Sequence, residues 1–200
     1  MNYFSSTSGG DVSVIQASAD AELQQSIEVS FFNSFFDNEP KQRQMTLQQL
    51  VHKLTKHEIR ANKNGPSFSP AVYPEGVTRA NNNAVYVTAL VLDVDDGTPY
   101  NKLKDKFAPF AHVYYTSYRH TSEHAKYRVV IFLSEPILAD EWAEFWHRAN
   151  QYFEHMDPAT KDSSRLYALP VRPEGGIYEA MYSPGKLLSR ADLPELLPGT

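Results

Sequence analysis

The stretch Tyr86–Gly97, YVTALVLDVDDG, decides the fold. Its residues 87–92 form an almost unbroken apolar and β-branched run, which is typical of a strand buried on both faces. The run ends in two acids, Asp93 and Asp95, which point to the same face because strand side chains alternate. The apolar residues beside them then point into the core. The sequence therefore predicts a central strand that carries a pair of carboxylates at its end.

The acid pair is a candidate site for a divalent cation. Two carboxylates about 7 Å apart on one strand face repel each other, and half-buried charges without a partner are costly. Bound Mg²⁺ or Mn²⁺ removes this cost, prefers oxygen ligands and keeps positions open for phosphate. The same residues are also typical of a strand that runs into an acidic turn, since Asp-Gly is a common turn pair.

Composition places the chain among ordinary globular domains. Its 200 residues, 42% of them hydrophobic, are enough for one domain with a real core. The sequence has no cysteine, which excludes disulfides and thiolate metal sites. The net charge of −5 argues against a general nucleic-acid binder, although Lys and Arg cluster at 53–63, 102–106 and 119–128 and allow a local basic groove.

The sequence gives no indication of a membrane segment or an export signal. No apolar run approaches the length of a transmembrane helix, and the N-terminus lacks a basic region followed by an apolar one. We therefore expect a protein that is located in the cytoplasm and has no membrane partner.

Hydrophobic periodicity predicts one compact domain of mixed secondary structure. Residues 26–185 are expected to form it, with 1–25 as a flexible tail or weak helix and 186–200 as a C-terminal extension. A hairpin at 111–133 makes part of the sheet antiparallel, so the predicted class is α+β, with a mixed or antiparallel sheet flanked by helices. Strands are predicted at 26–36, 86–97, 111–117, 127–133, 166–169 and 177–182, helices at 46–57, 100–107 and 139–154, and a loop at 62–76.

Two groups of polar residues on the hairpin could join the acid pair. Ser117 and His120 follow one strand, and both side chains can contact an anion. Lys126 and Arg128 open the next strand, where the arginine could form a fork to phosphate. A solvated loop histidine and a strand-edge charge are equally consistent with these positions.

A third group lies in the segment that precedes the strand at 166–169. It contains Asp157, Asp162 and Arg165. Either acid could complete a metal site, and the arginine could hold a phosphate. Asp157 is equally consistent with a turn residue before proline, and Asp162 with a helix N-cap.

Several common site motifs are missing from the sequence. It has no P-loop, no Gly-x-Gly-x-x-Gly after a strand and no Gly-x-Ser-x-Gly. His120 and His124 are four residues apart but lack the His-Glu-x-x-His order of zinc proteases. These absences argue against a P-loop ATPase, a dinucleotide-binding enzyme, a serine hydrolase and a zinc protease.

The remaining motifs, in this order, resemble the archaeo-eukaryotic primase superfamily. Within it, they are most similar to the primase–polymerase domains of plasmid, phage and other mobile-element replication proteins. The resemblance implies an RRM-like catalytic core, in which acids of the first and third motifs hold metal and a histidine of the second contacts the nucleotide. It covers roughly residues 26–185 and is carried by LVLDVDDGTP (90–99), YYTSYRHTSEHAKYRVVIFLSEPI (114–137) and MDPATKDSSRLYALP (156–170).

The resemblance assigns the metal ligands residue by residue. Asp93 and Asp95 match the two acids of the first motif. Asp157 follows an apolar residue, as the third motif requires, and Asp162 is the second choice. Two Mg²⁺ or Mn²⁺ ions are implied as cofactors.

The resemblance also implies contacts to the nucleotide. His120 matches the nucleotide-binding histidine, although the usual Ser-x-His is one residue longer here, from Ser117. Arg128 is expected to hold the triphosphate, together with Arg165 or Lys126. Arg165 could instead hold a backbone phosphate.

A template groove is predicted beside this site. Arg60 and Lys63 are expected to line a groove for single-stranded DNA, in which Tyr or Phe side chains stack on bases. Ser67 is also expected to be free to face a ligand.

The predicted function is primer synthesis by metal-dependent nucleotidyl transfer in the replication of a plasmid or phage. The expected partners are single-stranded DNA, nucleoside triphosphates and a helicase, as a further domain or a separate protein. Alanine at Asp93 or Asp95 is expected to abolish transfer and leave folding nearly intact. Two alternatives stay open: a non-catalytic initiator or nucleic-acid-binding module with a structural ion, and a metal-dependent nuclease.

Overall fold

Two sheets form the body of the protein in the computed structural model, which describes residues 21–196. The strands are β1 (Ser26–Phe32), β2 (Lys41–Thr46), β3 (Glu58–Ile59), β4 (Ser67–Ser69), β5 (Ala71–Val72), β6 (Tyr86–Gly97), β7 (His112–Thr116), β8 (Ala125–Leu138), β9 (Tyr167–Ala168), β10 (Val171–Arg172) and β11 (Ala180–Ser183). The helices are α1 (Leu47–Thr55), α2 (Tyr100–Phe107) and α3 (Trp142–Phe153), with short 3₁₀ helices at Asn81–Asn83, Pro158–Lys161 and Arg190–Asp192.

The larger sheet has five antiparallel strands in the order β11-β7-β8-β6-β5. Its central pair, β6 and β8, places Asp93 directly opposite Arg128. A second antiparallel sheet has the order β2-β1-β4-β9, and β3 and β10 form a short parallel pair. The predicted α+β class, with antiparallel sheets flanked by helices, is therefore confirmed.

The central strand is buried on both faces because its apolar residues alternate between two cores. Leu90, Leu92 and Val94 are buried with the apolar residues of α2 and α3. Ala89 and Val91 are buried with those of α1, β1 and β4. Asp93 continues the second series, so its side chain points toward the side of the sheet on which α1 and the smaller sheet pack.

The aromatic residues of α3 are core residues, as their helical spacing predicts. Trp142, Phe145, Trp146 and Phe153 all have less than 5% of their surface exposed. The indole Nε1 of Trp146 donates to Thr160 Oγ1 over 2.9 Å, and that hydroxyl donates to the Asp157 carbonyl. The helix therefore also anchors the segment that carries the third predicted motif.

Helix α1 begins where the sequence predicts. Thr46 accepts a hydrogen bond from Gln49 N, and the Gln49 side chain accepts one from Thr46 N, which makes a capping box. Leu47, Leu50 and Leu54 are buried on one side of the helix. The cap and the apolar stripe together fix the position of the helix against the sheet.

The stretch predicted as a loop at 62–76 contains two strands. All residues of β4 and β5 are buried, since β4 lies between β1 and β9 and β5 pairs with β6. Ser67 is therefore not free to face a ligand. The two strands are too short to show an alternation of apolar and polar residues, and the flanking prolines and the Asn-Gly pair are typical of a loop.

The compact unit also extends beyond residues 26–185. Residues 1–20 of the predicted tail lie outside the described residues, but Glu22 accepts a hydrogen bond from Tyr182 and Gln25 O accepts one from Leu47 N. At the other end, Leu188 and Leu193 are buried in the core. Segments on both sides of residues 26–185 therefore pack on the domain.

No helix within residues 21–196 is long and apolar enough to cross a membrane.

A buried histidine next to α2 is expected to make stability depend on pH. His112 Nδ1 lies 2.7 Å from Phe110 O and its Nε2 lies 2.8 Å from the Tyr100 hydroxyl, which fits a neutral ring that donates from Nδ1. Burial lowers the pKa of His112 below its usual 6.5. Since the unfolded chain binds this proton and the native ring does not, stability is full above about pH 6.5 and falls as the pH drops below it.

The change His112→Gln should reduce this dependence by up to about 1.4 kcal/mol per pH unit, the value for one proton. Urea unfolding at pH 7.5 and pH 5 measures it in both proteins. His57, whose pKa burial also lowers, keeps a residual dependence in the variant. An equal loss of stability on acidification in both proteins would contradict the role of His112.

Candidate active site

The first acid of the central strand forms a largely buried ion pair. Asp93 Oδ2 lies 3.3 Å from Arg128 Nη2, and the two side chains are 16% and 13% exposed. Burial by itself lowers the pKa of the Arg128 guanidinium, but the charge of the Asp93 carboxylate opposes it and the net shift is upward. Arg128 is therefore a charge on a central strand, held mainly by Asp93, and not a strand-edge charge.

This pairing changes what a substitution at the first acid does to folding. Removal of the Asp93 carboxylate would leave the largely buried guanidinium of Arg128 without its anionic partner. For Asp93 we therefore replace the expectation of nearly intact folding by one of lower stability. For Asp95, whose side chain is 62% exposed, nearly intact folding stays a prediction.

The second acid lies on the same face and contacts the same neighbouring strand. Asp95 Oδ1 is 2.7 Å from Lys126 Nζ, two residues from Arg128 on β8. The register of β6 and β8 shifts between Val94 and Gly97, which is a bulge-like irregularity. The irregularity leaves Asp95 and Asp96 exposed, as side chains at a ligand site need to be.

The two carboxylates keep oxygen atoms that a cation could use. Within residues 21–196, Asp93 Oδ1 and Asp95 Oδ2 have no hydrogen-bond partner. Mg²⁺ is commonly bound by one or two carboxylates, with water and substrate phosphates as the other ligands. The donor set therefore fits a divalent cation that binds together with a nucleotide.

The third acid stays a prediction. Asp157 N donates to Asp93 O, so the segment runs along the open edge of β6, but the Asp157 carboxylate accepts from Ala159 N and caps the 3₁₀ helix. The carboxylate of Asp162 accepts from both the amide and the hydroxyl of Ser164. In the described part of the chain, no three His, Cys, Asp or Glu side chains are grouped as a metal site.

The hairpin between β7 and β8 brings Ser117 and His120 to Lys126. Lys126 O accepts from Ser117 N, and Lys126 N donates to His120 Nδ1 over 3.2 Å. Since Nδ1 accepts this bond, the proton of the neutral ring lies on Nε2, which has no partner among residues 21–196. The side chain of the same lysine contacts Asp95, so these four residues form one hydrogen-bonded unit.

A glycine and a second histidine hold this hairpin against the acid strand. Gly97 has φ +87°, and a Cβ there would lie 2.9 Å from the His124 ring. His124 Nε2 lies 3.1 Å from Asp95 O, and its own amide donates to Thr121 Oγ1. The hairpin is therefore positioned by direct contact with the backbone of the acid pair.

Asp96, the last acid of the DVDD run, has a partner that sequence patterns do not indicate. Asp96 Oδ2 lies 2.8 Å from His155 Nδ1 and its Oδ1 accepts from Thr98 N. Burial raises the pKa of Asp96, but these hydrogen bonds outweigh it and the net shift is downward. His155 lies just after α3, 59 residues away, so no local spacing could reveal the pair.

The two predicted template-binding residues lie in one basic pocket. Arg60 and Lys63 line a cavity of about 260 Å³ together with Lys53 and Lys56 of the α1 region. Arg60 is paired with Glu58 over 3.1 Å. The cavity therefore carries four cations against one acid, which provides the local basic groove that the overall charge of −5 does not suggest.

Arg165 lies in a different place from the other predicted nucleotide-binding residues. It lines a second pocket with Lys63, Arg79 and Phe36. Its amide donates to Asp162 O. The structure therefore brings Ser117, His120 and Lys126 to the acid pair. It places Arg165 in the second pocket instead.

Comparisons with known proteins give one similar fold. No family model and no curated protein matches the sequence. Among solved structures, the AEP domain (PP-N190) of the primase–polymerase (PrimPol) of cyanophage S-2L is similar to this chain. The match has 12% sequence identity and a TM-score of 0.48, and it covers 91% of this chain and 95% of the other. Because both values are low, we base the function proposed below on the side chains of this chain.

Proposed function

We propose that this domain is a primase–polymerase that transfers nucleotides to a primer or initiating 3′-hydroxyl on single-stranded DNA. The observation that carries the proposal is the joint position of Asp93, Asp95, Lys126 and His120. Two carboxylates with unused oxygen atoms lie beside a lysine and a histidine with an outward donor. This combination suits nucleotidyl transfer, because joining a triphosphate to a hydroxyl depends on positioning and charge stabilisation.

In this proposal, one group of residues binds the metal ions and another binds the phosphates. Asp93 and Asp95 would hold Mg²⁺ or Mn²⁺, with Asp157 as the proposed third acid. The bound ions would lower the pKa of the attacking hydroxyl and neutralise the charge on the α-phosphate and the leaving pyrophosphate. His120 would donate from Nε2 to a phosphate oxygen, and Lys126 would move from Asp95 toward the triphosphate once the acids are occupied.

Arg128 has a supporting position in this scheme. Its Nη2 contacts Asp93 and its Nη1 lies 3.5 Å from Ala168 O, while its Nε is buried without a partner in the described part of the chain. We propose that it orients the Asp93 carboxylate and adds positive charge near the nucleotide. The predicted bidentate contact to phosphate would require it to leave this pair.

One observation favours a second candidate, a nucleic-acid-binding module without catalysis. Both carboxylates already have cationic partners, and the described residues hold no group of three metal-ligating side chains. A module of this kind would bind DNA through the basic pocket and need no nucleotide. The nuclease alternative has no such observation in its favour.

One assay separates the three functions. The protein is incubated with labelled single-stranded DNA and Mg²⁺ or Mn²⁺, with and without nucleoside triphosphates. A primase–polymerase gives new products only when triphosphates are present, a nuclease shortens the DNA without them, and a binding module shifts the DNA in a gel and gives neither product. We expect the first result; either of the others would overturn the proposal.

His120 is expected to contribute to nucleotide binding and not to metal binding. A hydrogen bond to a charged group is worth about 1.5–3 kcal/mol, so His120→Ala should weaken nucleotide binding roughly ten- to a hundredfold. Titration calorimetry with a non-hydrolysable nucleotide and with Mn²⁺ alone measures both affinities. Glu123→Ala, an exposed change in the same hairpin, is the matched control.

The pattern of losses distinguishes the roles of this histidine. Normal Mn²⁺ affinity with weak nucleotide binding supports the proposed contact. Loss of Mn²⁺ binding with nucleotide binding spared would make His120 a metal ligand. No effect on either affinity would make it a solvated loop residue.

A further inference from the structure

Phe36 is an exposed aromatic side chain in a charged setting. It is 88% exposed, the largest value among the exposed large hydrophobic residues of the described chain. It lies in the turn between β1 and β2, directly after Phe35, which packs against the core. A singly exposed apolar residue is common at a protein surface, so the informative feature of Phe36 is its position among clustered cations.

The turn that carries Phe36 is held by hydrogen bonds to its own backbone. The Asp37 carboxylate accepts from Asn33 N at 2.8 Å and from Glu39 N at 3.0 Å. These two bonds also lower the pKa of Asp37, so the carboxylate stays charged. Phe36 N itself donates to Ser34 Oγ. The ring is therefore presented by an ordered turn, which lowers the entropy cost of binding a ligand on it.

The turn is also tied to the two neighbouring loops. Phe35 N donates to Asn64 Oδ1, and Arg79 N donates to Asn38 O at 2.7 Å. These contacts fix the turn beside Lys63 and Arg79. The aromatic ring and the two cations thus belong to one surface.

Phe36 lines a pocket of about 460 Å³ with three cations. These are Lys63, Arg79 and Arg165, and the acid in the lining is Asp162. One carboxylate oxygen of Asp162 is already engaged by Ser164. An aromatic face next to clustered positive charge is the combination that binds single-stranded nucleic acid, since bases stack on the ring and phosphates contact the cations.

The cations of this pocket have binding capacity left. Arg79 Nη1 donates to Ser164 O at 3.1 Å, but its Nε is buried without a hydrogen-bond partner among residues 21–196. Lys63 and Arg165 take part in no ion pair within the same residues. The positive charge of the pocket is therefore available to an anionic ligand.

The Phe36 pocket adjoins the basic pocket, and both pockets lie next to β9. Lys63 lines both cavities. Arg165 and Leu166 of the Phe36 pocket come directly before β9, and Leu169 of the basic pocket comes directly after it. Ala168 of β9 lies against Arg128, the partner of Asp93. A strand of nucleic acid that follows the two pockets would therefore run along β9, which contacts the partner of Asp93.

We propose that Phe36 is a stacking platform for a base of single-stranded nucleic acid, and that Lys63 and Arg165 hold the adjacent phosphates. In the context of the proposed primase–polymerase function, this strand is the template, and the inference rests on that function for the identity of the strand. It moves Arg165 from the triphosphate to the template.

Binding of a fluorescein-labelled 16-nucleotide single strand tests the platform without metal or triphosphate. Phe36→Ala should bind about tenfold more weakly, as expected for the loss of one base–aromatic stack. Phe36→Tyr should bind like the unaltered protein. Leu138→Ala is the control and should have no effect, because Leu138 is an exposed apolar residue at the C-terminal end of β8 and lines neither pocket.

Fluorescence of the variant Phe36→Trp tests stacking directly. Its new indole is exposed, whereas Trp142 and Trp146 are buried in the core and give a constant background. Saturating single-stranded DNA should quench the additional emission.

A salt titration tests the phosphate contacts. The slope of log K against log salt is negative, and Lys63→Ala and Arg165→Ala should each reduce its magnitude by about 0.7, the value for one phosphate contact on a single strand.

The outcomes distinguish this site from the proposed activity. Phe36→Ala binding as tightly as the unaltered protein, or no quenching in Phe36→Trp, would overturn the platform even if primer synthesis is observed. Weakened binding and quenching in a protein that makes no primers would support the platform and overturn the proposed polymerase function. If double-stranded DNA quenched the emission as strongly as single-stranded DNA, that result would contradict the preference for a single strand.

Discussion

Alanine at Asp93 or Asp95 is expected to reduce nucleotide incorporation by at least about a hundred- to a thousandfold, the usual loss when one charge-stabilising group is removed from an active site. Each carboxylate supplies oxygen atoms to the same proposed metal site, so either loss alone should be severe. The double variant should lose about as much activity as either single variant, because the effects of groups that act as a unit are not additive. Single-nucleotide incorporation into a primer–template, with purified variants, measures the effect.

The two variants should differ in stability although they share the loss of activity. Asp93→Ala leaves the largely buried Arg128 without an anionic partner and should cost roughly 2–4 kcal/mol in urea unfolding. Asp95→Ala removes an exposed pair with Lys126 and should change stability by less than about 1 kcal/mol. Asp93→Asn, which keeps an acceptor for Arg128, is the control for folding. Full activity in either alanine variant would contradict the assignment of the acids.

Trp146→Ala is expected to destabilise the domain by about 3–5 kcal/mol. The ring is 4% exposed among the aromatic residues of α3, and its removal leaves a cavity and also breaks the hydrogen bond to Thr160. Because Thr160 donates to Asp157 O, the segment beside Asp93 loses an anchor as well. The free energy of unfolding in urea, compared with the unaltered protein, gives the value.

An exposed residue of the same helix provides the comparison. Glu144 is exposed on the opposite side of α3, and Glu144→Ala should change the free energy of unfolding by no more than about 0.5 kcal/mol. Similar losses for the two variants would show that the helix as a whole, and not the burial of its aromatic face, sets the effect.

The central part of the fold could be predicted because its sequence signals are strong and local. An unbroken apolar run fixes β6, helical spacing fixes α3, and Thr46 with Gln49 fixes the start of α1. Each signal comes from the periodicity of one element and needs no knowledge of distant contacts.

The missed elements lack such local signals. β2 has the polar sequence KQRQMT because it is the edge strand of its sheet, with β1 as its neighbour. β4 and β5 are three and two residues long, too short to show alternation, and are buried by their neighbours in the sheets. Tertiary contacts, not propensity, decide these segments.

Strand ends in the sequence indicate the Asp-x-Asp motif and the Ser117–His120 element as candidates, but they do not indicate the partners of these side chains. The partner of each acid depends on the register of β6 against β8, which places Arg128 opposite Asp93. The exposed position of Phe36 depends on how its turn packs between two other loops, and a pair of phenylalanines in sequence gives no sign of it.

The most direct test is template-directed incorporation of a single nucleotide by the unaltered protein and by the double variant Asp93→Asn, Asp95→Asn. Four reactions, each with one labelled triphosphate, Mn²⁺ and a template of known sequence, are compared after circular dichroism shows that both proteins are folded. We expect the unaltered protein to add only the nucleotide complementary to the template base, and the double variant to add none. Incorporation by the double variant at the normal rate, or no incorporation of any nucleotide by the unaltered protein, would contradict the account.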